Sequence, residues 1–160
     1  MGHTRGAGAR TLTMYGDYEC PHTRTAYRIV QSLEADGIAF AFEYRHLPIA
    51  EAHEHALAAA VAAEAAHDQG RFWEMHDALF AGQDDLSRAA LRAKATAIGL
   101  DLERFNSEFA SDDQLARVTS DTRAGLEAGA TGTPSLFVDG VPMTSYEPAA
   151  LRLVLGGRDA

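Results

Sequence analysis

A chain of 160 residues, 46% hydrophobic and 23% charged, has the length of one domain with a substantial core and the balance of a folded globular protein. Its formal charge of -9 argues against a nucleic-acid partner, because a phosphate backbone needs clustered Lys and Arg. A single cysteine excludes an intrachain disulfide framework and fits a reducing compartment, so a cytoplasmic location is expected.

In chain order, residues 1–10 are rich in Gly, Ala and Arg, with no long apolar stretch, and read as a flexible tail and not as a secretory signal. No apolar run is long enough to span a bilayer, so no membrane association is expected. Thr11 to Tyr15 alternates and predicts a buried strand. Gly16 Asp17 Tyr18 Glu19 Cys20 Pro21 His22 Thr23 then joins that strand to a helix whose apolar stripe is Tyr27, Ile29, Val30 and Leu33, with Asp36 Gly37 as its stop. Ile38 to Leu47 alternates again, and strand, helix, strand in this length is a βαβ unit with two parallel strands.

The middle of the chain is helical. Helices are predicted over the alanine-rich stretch Ala52–Gln69, then Phe72–Phe80, Ser87–Ile98, Asp101–Phe109 and Gln114–Ala128. Ser135–Asp139 and Val141–Thr144, joined at Asp139 Gly140, form an antiparallel hairpin, and Pro148–Leu155 is a closing helix.

Cys20 is the residue with chemistry to offer. At the start of a helix it sits beside unpaired N–H groups and the positive end of the dipole, which favours the thiolate, the reactive form of the residue. Pro21 suits the first helical position. A protonated His22 adds positive charge near the sulfur, and Thr23, three residues on, presents a hydroxyl on the same helical face. The residues alone leave a second reading open, in which Cys20 is a small buried hydrophobe.

Cys20 Pro21 His22 Thr23 resembles the active-site tetrapeptide of the DsbA-like branch of the thioredoxin superfamily, whose pattern is Cys-Pro-His-Cys or a close variant. Tyr44 Arg45 His46 Leu47 Pro48, His53 Glu54 His55 Ala56, Phe72 Trp73 Glu74 Met75 His76 Asp77 and Gly132 Thr133 Pro134 Ser135 Leu136 Phe137 Val138 follow in that family's order. The resemblance implies an α/β thioredoxin fold in residues 11–160, with a helical insertion at about 51–130 between the βαβ half and the C-terminal ββα half. It also implies a cis Pro134 facing Cys20, with the backbone of Thr133 pairing with an extended substrate. The chain departs from the family where it matters most, since Thr23 stands where the second cysteine would be.

A lone thiolate can attack a mixed disulfide, but it needs a second thiol to release the product. The expected activity is that of a monothiol oxidoreductase on protein or small-molecule mixed disulfides. Cys20 would be the nucleophile, supported by Pro21, His22 and Thr23, with Thr133 and Pro134 positioning substrate. No bound cofactor is expected; glutathione or another low-molecular-weight thiol would be the cosubstrate. Two alternatives are a non-catalytic binding module that keeps the groove and a glutathione-dependent transferase or isomerase. Glu43 could face inward as a proton acceptor or outward with Ala39, Ala41 and Arg45. His46, His53, His55 and His76 suggest a metal, but no carboxylate or cysteine completes a ligand pattern, so structural roles and no metal are expected.

Overall fold

The computed structural model describes residues 2–156. Its centre is the expected βαβ unit: β2 (Thr11–Gly16), α1 (Pro21–Ala35) and β3 (Ala41–His46), with β2 and β3 parallel and in register from Thr11 opposite Ala41 to Gly16 opposite His46. The insertion supplies α2 (Ala56–His67), α3 (Phe72–Ala81), α4 (Arg88–Ala97), α5 (Leu102–Phe109) and α6 (Asp112–Glu127). The chain then returns through β4 (Ser135–Val138), β5 (Val141–Pro142) and α7 (Pro148–Leu155). Asp139 at φ 50 and Gly140 at φ 81 give the hairpin the double positive-φ turn that an Asp-Gly pair accommodates.

One sheet face carries the main core. Leu12 and Met14 of β2, Phe42 and Tyr44 of β3, and Leu136 and Val138 of β4 alternate onto it and meet Tyr27, Val30 and Leu33 of α1, with Leu151 and Leu155 of α7. The opposite face holds a smaller cluster of Tyr15, Leu47, Ala130 and Phe137. Helix α2 is the hub of the insertion. Nine of its residues are buried, most of them alanines, whose small side chains let neighbouring helices approach on several sides. Among the described residues no helix is long and apolar enough to cross a membrane.

The N-terminus differs from expectation. Residues within the predicted tail form β1 (His3–Gly6), an antiparallel edge strand on β3, and the sheet order is β1-β3-β2-β4-β5. No aliphatic residue anchors this strand, which is why its composition reads as a tail. It is held by polar side chains doing apolar work. The His3 ring stacks on Phe72 with centroids 3.5 Å apart. The Arg5 guanidinium lies 4.6 Å from the centre of the Trp73 ring while pairing with Glu34 at 2.8 Å.

Helix α2 starts at Ala56 and not at Ala52. Ile49 and His55 direct their backbone N–H groups to Asp17 and Glu19 instead of into a helical ladder. His53 and His55 therefore precede the helix. Glu43 lies on the face away from Tyr44, where it accepts from Thr13 Oγ1 and Arg45 Nε, each at 2.9 Å, so the outward reading holds.

Candidate active site

The site is built where β2 ends and α1 begins. Gly16 closes the strand, and a Cβ there would come within 2.7 Å of both Thr23 Cγ2 and the Tyr44 hydroxyl, so the turn needs glycine for close approach. Asp17 follows, almost fully buried. One of its carboxyl oxygens accepts from Glu19 N at 2.8 Å, the local two-residue turn that Asp favours. The other accepts from Ile49 N at 2.9 Å and from His53 Nδ1 at 2.8 Å. Glu19 in turn accepts from His55 N at 2.7 Å. Together these bonds fasten the Cys20 loop to the segment that leads into α2.

Cys20 is the N-cap of α1, with φ -77 and ψ 120, and Pro21 takes the first helical position. The Cys20 carbonyl accepts the first helical bond, from Arg24 N at 3.2 Å. Gln83, from the turn after α3, donates its side-chain amide to Tyr18 O at 2.7 Å and to Cys20 O at 2.9 Å. The Cys20 backbone is thus held by Asp17 O, by the first helical bond and by Gln83.

Cys20 is 4% exposed, and its thiol donates to the Thr133 carbonyl across 3.6 Å. The Thr133–Pro134 peptide bond is cis, and both residues are half-buried. Residues 113 positions apart in sequence therefore meet at the sulfur, as the resemblance implied. His22 is exposed at the second helical position. Thr23 is fully buried, and its hydroxyl accepts from Asp17 N at 3.4 Å, which ties it to the backbone of the loop.

Beneath the motif lies an aromatic cluster. Tyr18 hydrogen-bonds His76 Nδ1 at 2.8 Å, and the His76 ring stands 4.5 Å from those of Tyr27 and Tyr44. Burial holds His76 well below the ordinary histidine range, with the charge of Arg5 acting in the same direction. A neutral imidazole accepts the Tyr18 proton at Nδ1. Burial also pushes Tyr18 and Tyr44 well above the usual tyrosine range. These rings are neutral packing groups at neutral pH.

The histidines do find a carboxylate. Glu64 of α2, buried, is 2.6 Å from His3 Nε2 and 2.7 Å from His46 Nε2. Burial alone would raise its pKa, but the bonds from the two imidazoles outweigh that and hold it well below the carboxylate range. Neither His3 nor Glu64 was singled out in the sequence. His3 lay in the apparent tail, and Glu64 is one carboxylate in a run of alanines.

A DsbA-like thioredoxin domain model matches residues 11–153. The chain belongs to the DsbA-like thioredoxin domain family. Its fold is shared with a thioredoxin-like oxidoreductase from Silicibacter pomeroyi, with a TM-score of 0.84 at 27% identity over 94% of this chain and 88% of that one. BdbD from Bacillus subtilis superposes with a TM-score of 0.83 at 18% identity, over 96% of this chain and 90% of BdbD, a likeness of fold. Among curated sequences the chain is 41% identical, over 140 residues, to a Salinispora tropica protein named Na(+)/H(+) antiporter NhaA 3. A Herminiimonas arsenicoxydans protein named Na(+)/H(+) antiporter NhaA is 36% identical over 157 residues. The matches cover 86% and 96% of this chain but only 22% and 25% of those proteins. The chain thus spans about a quarter or less of the length of those relatives.

Proposed function

We propose that this DsbA-like domain is a monothiol thiol–disulfide oxidoreductase acting on mixed disulfides. The observation that carries the reading is the pairing of Cys20, capping α1 against Thr133 O at 3.6 Å, with a buried threonine at the resolving position. Cys20 stands at the start of α1, with His22 exposed to solvent two residues on.

In the first step the Cys20 thiolate attacks the glutathionyl sulfur of a glutathionylated protein. The substrate S–S bond breaks, the protein sulfur leaves as thiolate and takes a proton from solvent, and the glutathionyl group stays on Cys20. In the second, a free glutathione thiolate attacks the glutathionyl sulfur of the adduct and leaves with it as glutathione disulfide, regenerating the Cys20 thiolate. One mixed disulfide and one thiol become one protein thiol and one disulfide. Another low-molecular-weight thiol balances the cycle equally well. A reducing compartment such as the cytoplasm would supply it. Thr133 and Pro134 would position substrate beside the sulfur, the Thr133 backbone pairing with an extended segment.

The test is turnover of a glutathionylated peptide with glutathione. Cys20→Ser should abolish it, and full activity in that variant sinks the assignment. Thr23→Cys should restore a dithiol pair and raise exchange with dithiol substrates at least tenfold; no gain means that the groove no longer serves exchange. A second reading rests on the 4% exposure of Cys20. If the wild-type thiol resists alkylation in the folded protein, the groove is a binding module and the cysteine a packing residue.

A further inference from the structure

We infer that His3, His46 and Glu64 form a binding site for one divalent transition-metal ion of the zinc class, joining the N-terminal strand to the sheet and the helical insertion. The ligating atoms, His3 Nε2, His46 Nε2 and one Glu64 carboxylate oxygen, all lie within 4.8 Å of one another. They come from three elements, β1, β3 and α2, so the site exists only in the folded chain. Two imidazole nitrogens and one carboxylate oxygen are a ligand set that zinc accepts, whereas calcium and magnesium favour all-oxygen sites.

Two of the three ligand separations need little change, and the two imidazole nitrogens, within 4.8 Å of each other, close by up to roughly 1.5 Å. Ligand atoms around a tetrahedral zinc are separated by roughly 3.3 Å, given metal–ligand distances near 2.0 Å. The two hydrogen bonds of 2.6 and 2.7 Å would open by roughly half an ångström as the ion replaces the protons they share. The sites are already desolvated, with the side chains of His3, His46 and Glu64 9%, 0% and 3% exposed. Freeing Nε2 of His46 moves its proton to Nδ1, a buried atom with no hydrogen-bond partner. One ring atom is unpartnered before and after, so this tautomer change adds no new unsatisfied group.

The fourth position has two sources. His67 lies beside His3, with ring centroids 4.6 Å apart. A cleft of about 340 Å³ bordered by His3, His67, Phe72 and Trp73 admits a water. One group opposes the cation. Arg117 Nη1 is 3.5 Å from the second Glu64 oxygen, but its shorter bond is to Asp68 at 2.7 Å, and its side chain is 44% exposed. Solvent screens its charge, and it can swing away from Glu64 while keeping the shorter bond to Asp68.

The test is zinc titration of the chelator-treated full chain, in a Cys20→Ser background so that the thiol cannot serve as ligand. Cobalt substitution gives the coordination number from its visible absorption. One ion per chain, bound at micromolar concentration or below, is expected. His3→Ala and His46→Asn should each weaken binding at least tenfold, and zinc should raise the melting temperature of the parent but not of His3→Ala. His3 lies on an edge strand, so that variant should remain folded, which circular dichroism verifies. No binding at 100 μM zinc (a threshold about a hundredfold above a micromolar constant) overturns the site. So does binding insensitive to His46→Asn, which would place the ion on the chain's N-terminal residues instead. These readouts do not depend on thiol chemistry, so they stand or fall separately from the oxidoreductase reading.

Discussion

Two buried carboxylates organise this molecule, and they are satisfied in opposite ways. Asp17 takes two of its three hydrogen bonds from backbone N–H groups, those of Glu19 and Ile49, and only the third from a side chain, His53. Glu64 takes all of its partners from side chains, His3, His46 and Arg117. A carboxylate bonded to main chain fixes a loop, because backbone donors cannot rotate away. One bonded to imidazoles is a charge centre whose partners can be protonated, released or metallated. The first device serves the position of Cys20, and the second ties β1 to the rest of the fold.

The largest effect should come from breaking the first. Asp17→Ala leaves two buried backbone donors and one imidazole without an acceptor, a loss of roughly 3–5 kcal/mol in urea unfolding. Glu64→Gln keeps an oxygen that both imidazoles can reach and should cost less, roughly 1–3 kcal/mol. Asp17→Ala should also slow Cys20 exchange while Glu64→Gln leaves it near the parent rate. Equal losses in both stability and rate would erase the distinction between a loop-fixing and a charge-holding carboxylate.

Acid should act on the charge-holding side. His76 is fully buried with its pKa depressed, so the unfolded chain takes up a proton below the ordinary value of 6.5 that the folded chain refuses. Its contribution is complete above pH 6.5 and is lost as pH falls below it, by up to about 1.4 kcal/mol per pH unit. For a chain of this size that is roughly 3–5 °C of melting temperature per unit. Glu64, also depressed, contributes above its unfolded value of 4.5 and loses that contribution on further acidification. His76→Asn keeps an acceptor for the Tyr18 hydroxyl but does not titrate. Its melting temperature should therefore be flatter than the parent's between pH 6.5 and 5.0, and parallel curves would show that other groups carry the acid sensitivity.

The same division separates what could be read in the sequence from what could not. The βαβ unit, the Asp139 Gly140 hairpin and the five inserted helices are written in local periodicity and turn chemistry. The meeting of Cys20 with Thr133 was implied by the resemblance to the DsbA-like family. β1 was missed because His3 and Arg5 bury rings and stems against Phe72 and Trp73, and neither registers as apolar in a periodicity count. Helical spacing puts Thr23 on the face of Cys20, but spacing carries no information about Asp17 N, from which the hydroxyl accepts. Asp17 had a local signal, the two-residue turn to Glu19, but its bonds to Ile49 and His53 depend on the path after β3. Polar partners at long range leave no period in the chain.

Gln83 is the hardest case of this kind and offers the finest test of how the Cys20 loop is held. Its amide donates to both Tyr18 O and Cys20 O, 65 and 63 residues away in sequence. Cys20 O keeps the Arg24 N–H when the amide is removed, while Tyr18 O loses its donor, so Gln83→Ala should cost about 1–2 kcal/mol, or roughly 2–8 °C. Gln83→Glu has nearly the same size but, when ionised, offers only acceptors to two carbonyls. If donation is what positions the loop, Gln83→Glu should lower both melting temperature and mixed-disulfide exchange more than Gln83→Ala at pH 7, and the deficit should narrow as acid protonates the new carboxyl. If Gln83 merely fills space, the order reverses, because the larger side chain preserves packing that alanine loses. The ranking of these two variants therefore separates hydrogen-bond control of the loop from steric support.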